Sequence, residues 1–164
     1  MNTDDLIARR RKALGPTYSH FYKKPLYLVR GEGAWLYDND GNKYLDCYNN
    51  VPSVGHCNPH VVEQITKQIA TLNTHTRYLH HAVVEYAEML ADTLPGDLSV
   101  CMFVCTGTEA NDLAYRIARA VTGNEGAICH MGAYHGNSTL VSELSPEFVR
   151  VRPRPCLLYT SPSP

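Results

Sequence analysis

The chain has 164 residues, 44% of them apolar and 19% charged, which is the balance of an ordinary globular domain with enough length to bury one sizeable core. Fifteen basic residues against sixteen acidic ones leave a formal net charge of -1, so no excess charge points to nucleic acid or a membrane surface as partner. With neither an apolar signal segment nor a long apolar run, Cys47, Cys57, Cys101, Cys105, Cys129 and Cys156 read as reduced thiols of a cytoplasmic protein rather than a disulfide framework.

The first element is a helix. Asp4 and Asp5 stand at its start, Arg9 to Lys12 at its finish, and Gly15-Pro16 stops it, the charge order that the helix dipole favours; the basic run is therefore a solvated helix end. Leu26–Arg30, Ala34–Tyr37 and Lys43–Asp46 then alternate with Gly31-Glu32-Gly33 and Asp38-Asn39-Asp40-Gly41, which have tight-turn chemistry, so a small antiparallel meander is expected. A second helix should start at Pro59 with Asn58 as its cap, since Val61, Val62, Ile65, Ile69 and Leu72 recur at helical spacing. A third should run from about His81 to Thr93, ended by Pro95-Gly96.

The texture then changes. Val100–Val104 is a short continuous apolar run that reads as a buried strand, with Cys101 and Cys105 as small hydrophobes; Thr106-Gly107-Thr108 makes a turn; Ala110 to Val121 is helical and Gly123 stops it; Ala127–Cys129 is another buried strand. Strand, glycine turn, helix and strand are the grammar of an α/β unit around a largely parallel sheet, of which only the beginning is expected here. Such a sheet has uncovered faces, which predicts poor solubility for the chain alone. From Arg150 the sequence is rich in proline, and Cys156–Pro164 resembles the translated read-through of a sequencing adapter; residues 150–164 are expected to stand outside the fold, a genuine proline-rich tail being the alternative.

Two short segments carry chemistry. In Cys105–Asp112, Gly107 allows a close backbone approach to an anion, Thr108 adds a hydroxyl, and the helix dipole favours a phosphate there. Neither the lysine of a Walker loop nor a Gly-x-Gly-x-x-Gly fingerprint accompanies it, which weakens a nucleotide-binding reading; an ordinary N-cap threonine explains the same residues. In Ala133–Ser138, Tyr134 offers an aromatic face with His135 beside it. His56, Cys57 and His60, or Cys101 with Cys105, lack the second ligand pair that zinc needs, so no metal is expected. His80 and His81 belong to a helix start.

Gly107-Thr108-Glu109-Ala110-Asn111 resembles the phosphate-gripping element of class III aminotransferases, within the fold-type I pyridoxal-phosphate-dependent enzymes, and Tyr134-His135-Gly136 resembles their aromatic-His-Gly element. Tyr44–Pro59 is similar to the family's entry segment near the substrate, where Tyr48, Asn49 and Asn50 are the candidates. The resemblance runs from about Leu26 to Glu147. Asn49–Pro52 and Thr76–His80 look most like the branch of ethanolamine-phosphate phospho-lyases and omega-aminotransferases.

What the resemblance implies is an incomplete α/β fold of type I: an amino-terminal helix, meander and helix over residues 1–72, then residues 73–149 as the start of the large cofactor-binding domain. The implied cofactor is pyridoxal 5'-phosphate, with Gly107 and Thr108 on its phosphate and Tyr134 and His135 at its ring; Tyr48 and Asn50 would meet substrate. The partners implied are an amino donor and a 2-oxo acid acceptor, with a homodimer as the assembly. The family also needs a Schiff-base lysine and a carboxylate on the pyridine nitrogen, both well downstream. Lys12, Lys23, Lys24, Lys43 and Lys67 all precede the phosphate turn and none matches, so no catalytic residue is assigned and the chain alone is expected to be inactive. The expected function is amino-group transfer by the full-length protein. The alternatives are phospho-lysis of a phosphorylated amine and a non-catalytic phosphate-binding module.

Overall fold

The computed structural model describes residues 2–17, 20, 22–48, 51–146 and, for the backbone, 158–161. The chain forms two compact units, Met1–Tyr78 and Leu79–Pro164. The sequence reading cuts at residue 72, at the end of a helix; the observed division falls after the following turn, closed by the Tyr78 amide on the His75 carbonyl.

The first unit opens with α1 (Thr3–Leu14). Asn2 caps it by accepting from the Asp4 amide, Arg11 and Lys12 sit in its last turn, and Gly15 leaves it at φ 80°. The meander follows: β1 (Leu28–Glu32), β2 (Trp35–Asp38) and β3 (Lys43–Leu45), antiparallel in that order. Side chains brace its surface, with the Lys43 ammonium 3.9 Å from the Trp35 ring centre and the Arg30 guanidinium 3.5 Å from that of Tyr37.

Polar anchors hold this unit. The Asp38 carboxylate, buried at the end of β2, accepts from the Asn42 side chain (2.9 Å), the Tyr44 hydroxyl (2.8 Å) and the amides of Asn42 and Asp40. The Asn42 contact leads, with Tyr44 and the amides adding to it, and together they outweigh the opposing effect of burial and hold the Asp38 pKa at about 2. Farther along, Gly33 and His56 exchange both backbone hydrogen bonds (2.9 and 2.8 Å), and His56 Nε2 lies 2.7 Å from Asp46 Oδ2. Then α2 (Pro59–Thr71) begins as expected, Asn58 accepting from the His60 and Val61 amides.

In the second unit, α3 (His81–Ala91) ends short of Thr93 because the Thr93 and Leu94 amides reach back three residues, to Leu90 and Ala91, and tighten the last turn. The strand expected at Val100–Val104 is absent. A strand exists only where another pairs with it, and no described segment does; the run instead lies along α3, with Phe103 stacked on Tyr86 (5.3 Å between centres) and the Cys101 thiol 3.4 Å from the Ala87 carbonyl. Cys105, expected in a buried strand, is exposed. Next come α4 (Gly107–Thr122), ended by Gly123 at φ 72°, β4 (Ala127–His130) and the single-turn α5 (Thr139–Glu143).

The tail corrects a second expectation. Leu158–Ser161 forms β5, parallel to β4 in the register Ala127↔Leu158 to His130↔Ser161. The stretch between Pro155 and Pro162 is free of proline, so it can complete the ladder that an open strand edge offers.

The single sizeable core expected from composition is absent from the described residues, where Cys129 and Val141 are the buried apolar side chains. Burial pushes the Cys129 thiol pKa up, so it stays protonated. Val61, Val62, Ile65 and Ile69 of α2 remain exposed, since their stripe finds no opposing surface among the described residues of its own unit.

Two predictions follow from the anchors. A methyl group at Gly31 would sit 2.7 Å from the His56 ring, which Asp46 holds in place, so Gly31→Ala should cost about 1–3 kcal/mol in denaturant unfolding. Because the Asp38 pKa is depressed in the folded state, its stabilisation is full above the ordinary value of 3.8 and is lost as pH falls through about 2. Asp38→Asn should flatten unfolding stability across that window, and an unchanged acid limb would refute the assignment.

Candidate functional site

The site in the second unit is built at the first turn of α4. Thr106 caps it: its hydroxyl accepts from the Glu109 amide (3.1 Å), and Glu109 Oε2 accepts from the amides of Cys105 (2.7 Å) and Thr106 (3.2 Å). The N-cap threonine that the sequence allowed is therefore Thr106, in a reciprocal box with Glu109. The box also turns the Glu109 carboxylate toward the entering chain. Gly107 and Thr108, the next two residues, have amides that donate to no acceptor among the described residues, and a Cβ at Gly107 would meet nothing within 4 Å. Two unclaimed amides at the positive end of a sixteen-residue helix can receive an anion.

A loop is fastened over this turn. Gly136 has φ 134° and lies so close to Thr108 that a Cβ would stand 2.5 Å from its Oγ1 and 2.9 Å from its Cα. The Asn111 amide group donates to the His135 carbonyl at 2.7 Å, and the Ser138 hydroxyl donates to Asp112 Oδ1 at 2.9 Å. The Thr108 hydroxyl donates weakly to Asn137 Oδ1, 3.4 Å away. Thr108, Asn111 and Asp112, about one helical turn, thus carry the segment that presents Tyr134, which is exposed.

Of the residues singled out from sequence, Gly107, Thr108, Tyr134 and His135 therefore meet on one α4–loop assembly, with His135 acting through its backbone. Tyr48 belongs to the first unit, where its amide donates to Asp46 Oδ1 (3.2 Å); Asn49 and Asn50 lie outside the described residues. The segment from Asp46 to His56 is closed at both ends on the β1–β2 turn, by the Asp46 amide on the Ala34 carbonyl (2.9 Å) and by the Gly33–His56 pair. A cavity of about 360 Å³ lies against it, lined by Asp46, Ser53 and His56 among others.

Sequence reasoning missed Thr106, Asn111, Asp112 and Ser138. The Thr-x-x-Glu spacing of a capping box gives Thr106 away; the other three have no local signature, because their partners are distant in the chain. Thr106→Ala should destabilise the second unit by about 1 kcal/mol. Gly136→Ala, which imposes a strained backbone as well as a clash with Thr108, should cost about 1–3 kcal/mol and loosen the loop, seen as faster amide exchange at residues 134–138.

A sequence profile for aminotransferase class-III matches residues 17–147. Among curated relatives, the alanine–glyoxylate aminotransferase 2-like protein of Drosophila melanogaster is 44% identical over 147 residues, 89% of this chain and 30% of the relative. Ethanolamine-phosphate phospho-lyase homolog 1 of Caenorhabditis elegans is 42% identical over 144 residues, 87% of this chain and 31% of the relative. Among solved structures, a phospholyase from Arthrobacter in complex with phosphoethanolamine superposes with a TM-score of 0.93 at 45% identity, over 98% of this chain and 38% of that one. The chain thus spans about a third of the length of the proteins it matches, and its fold is that of the first part of a fold-type I enzyme. The cofactor of these enzymes is pyridoxal 5'-phosphate, and the unclaimed amides of Gly107 and Thr108, with open space where a side chain would stand, suit its phosphate. This chain belongs to the class III aminotransferase family.

Proposed function

We propose that this chain is the amino-terminal part of a cytoplasmic, homodimeric pyridoxal-phosphate-dependent enzyme that removes phosphate and ammonia from a phosphorylated primary amine. The observation that carries this reading is the likeness to the Arthrobacter phospholyase along nearly the whole chain, at 45% identity and a TM-score of 0.93. In this reading phospho-lysis, the alternative from sequence, comes before amino-group transfer. Amino-group transfer to a 2-oxo acid is the second reading, favoured by the 44% identity to the aminotransferase 2-like relative.

In either reaction the bound cofactor supplies an electron sink that makes the proton on the amine-bearing carbon removable. The groups of this chain bind and orient. The amides of Gly107 and Thr108 grip the phosphate, with the Thr108 hydroxyl beside them, and the α4 dipole supplies positive potential there. Tyr134 stacks on the ring, and the His135 backbone keeps Tyr134 in register with α4. By the family resemblance, Tyr48 and Asn50 are the candidates to meet the substrate. The proton-transferring lysine lies outside this chain, which leaves the 164 residues inactive by themselves.

The test is to incubate the full-length protein, with pyridoxal phosphate, with phosphoethanolamine in the absence of any 2-oxo acid and to measure inorganic phosphate. Phosphate release under those conditions supports phospho-lysis. Amino-group transfer that requires a 2-oxo acid, without phosphate release, puts the aminotransferase reading first, and cofactor binding with neither reaction leaves a non-catalytic phosphate-binding module.

A further inference from the structure

Ser145 takes no part in any role assigned so far, yet it is fully buried, at 0% exposure, and hydrogen-bonded on both sides of its hydroxyl. Its Oγ accepts from the His135 amide at 2.8 Å. Its own proton is within reach of the Val141 carbonyl at 2.6 Å and the Gly136 carbonyl at 3.3 Å, the shorter contact fixing the side chain against α5, one turn back. The His135 amide is the N–H of the peptide plane that joins Tyr134 to His135. The His135 carbonyl, in the next plane, accepts from Asn111 at 2.7 Å. The first plane is tied to Ser145 and through it to α5, and the second to α4, so both planes flanking His135 are fixed, and the first of them is the plane that leaves the Tyr134 Cα.

We propose that Ser145 is a positioning residue for Tyr134: through the His135 amide it orients the peptide plane that directs the aromatic ring toward the cofactor. The inference rests on the reading of Tyr134 as the stacking ring. Without the Ser145 hydroxyl the His135 amide loses its acceptor in a part-buried setting, and the 134–135 plane is free to rotate away to find another. Neither Gly107 nor Thr108 is touched by that change, so the phosphate grip persists while the ring's orientation is lost.

The test uses the full-length holoenzyme with Ser145→Ala, Tyr134→Ala, the double variant, and Gly123→Ala, a strained position at the far end of α4, as a control for lost stability. Pyridoxal-phosphate affinity and the position of its visible absorption band are measured beside thermal stability. Expected are an affinity about tenfold weaker with a shifted band for Ser145→Ala, no further loss in the double variant over Tyr134→Ala, and unchanged affinity for Gly123→Ala. Wild-type affinity and band in Ser145→Ala, beside weakened Tyr134→Ala, would overturn the positioning role; so would additive losses in the double variant. Wild-type affinity in Tyr134→Ala would instead sink the stacking reading itself. If Ser145→Ala does not fold, Ser145→Cys, of similar size but with a weak acceptor, carries the same comparison.

Discussion

The second unit's site hinges on how closely Gly136 approaches Thr108. With no room for a side chain between them, the loop's backbone rests on the first turn of α4, the same turn that offers the Gly107 and Thr108 amides. A larger residue at position 136 would separate the two halves by roughly an atom's width, and the hydrogen bonds from Asn111 and Ser138 across the gap would open with it. Anion grip and aromatic ring thus share one rigid origin. That matters because a planar cofactor held at its phosphate gains orientation only if its ring contacts are referenced to the same frame.

The capping box makes this arrangement electrically workable. An acid at the third helical position lies close to any phosphate at the helix start, and its charge opposes binding. By accepting from the Cys105 and Thr106 amides, Glu109 directs its charge to the entering-chain side of the turn and leaves the amides of the next two residues without an acceptor among the described residues. The first unit shows the same economy. Asp38 closes the β2–β3 turn, and the Asp46–His56 pair closes the segment carrying Tyr48, so charged or polar side chains fix loops that have no apolar core beneath them among the described residues.

What could be read from sequence follows from range. Asn58-Pro59, the α1 charge order and Gly123 act within one helical turn, and each places its helix end where the structure has it. Tyr134 and Gly107 were visible through a family pattern. The failures are non-local: Val100–Val104 has strand composition but no described strand to pair with, whereas Leu158–Ser161, set among prolines, pairs with β4. Strand identity belongs to the pair rather than the segment, which is why composition misjudged both. Asn111, Asp112, Ser138 and Ser145 were illegible for the same reason. Each is an ordinary helix or loop residue until its partner, 10 to 26 positions away, is brought beside it.

The exposed stripe of α2 and the scarcity of buried apolar side chains bear on how such a site stays rigid. Val61, Val62, Ile65 and Ile69 present apolar surface that water penalises by about 25 cal/mol per Å², so further protein surface against it would add stability without altering the site's internal bonds. The α4–loop assembly is held by hydrogen bonds and close backbone contact within one unit, and those are formed by residues 106–145 alone. Binding geometry and global stability therefore draw on different interactions: polar pins set where the phosphate and ring contacts stand, while the uncovered apolar faces offer the surface on which the remaining free energy of folding can be gained. A site organised in this way can be preformed locally and made durable by packing elsewhere.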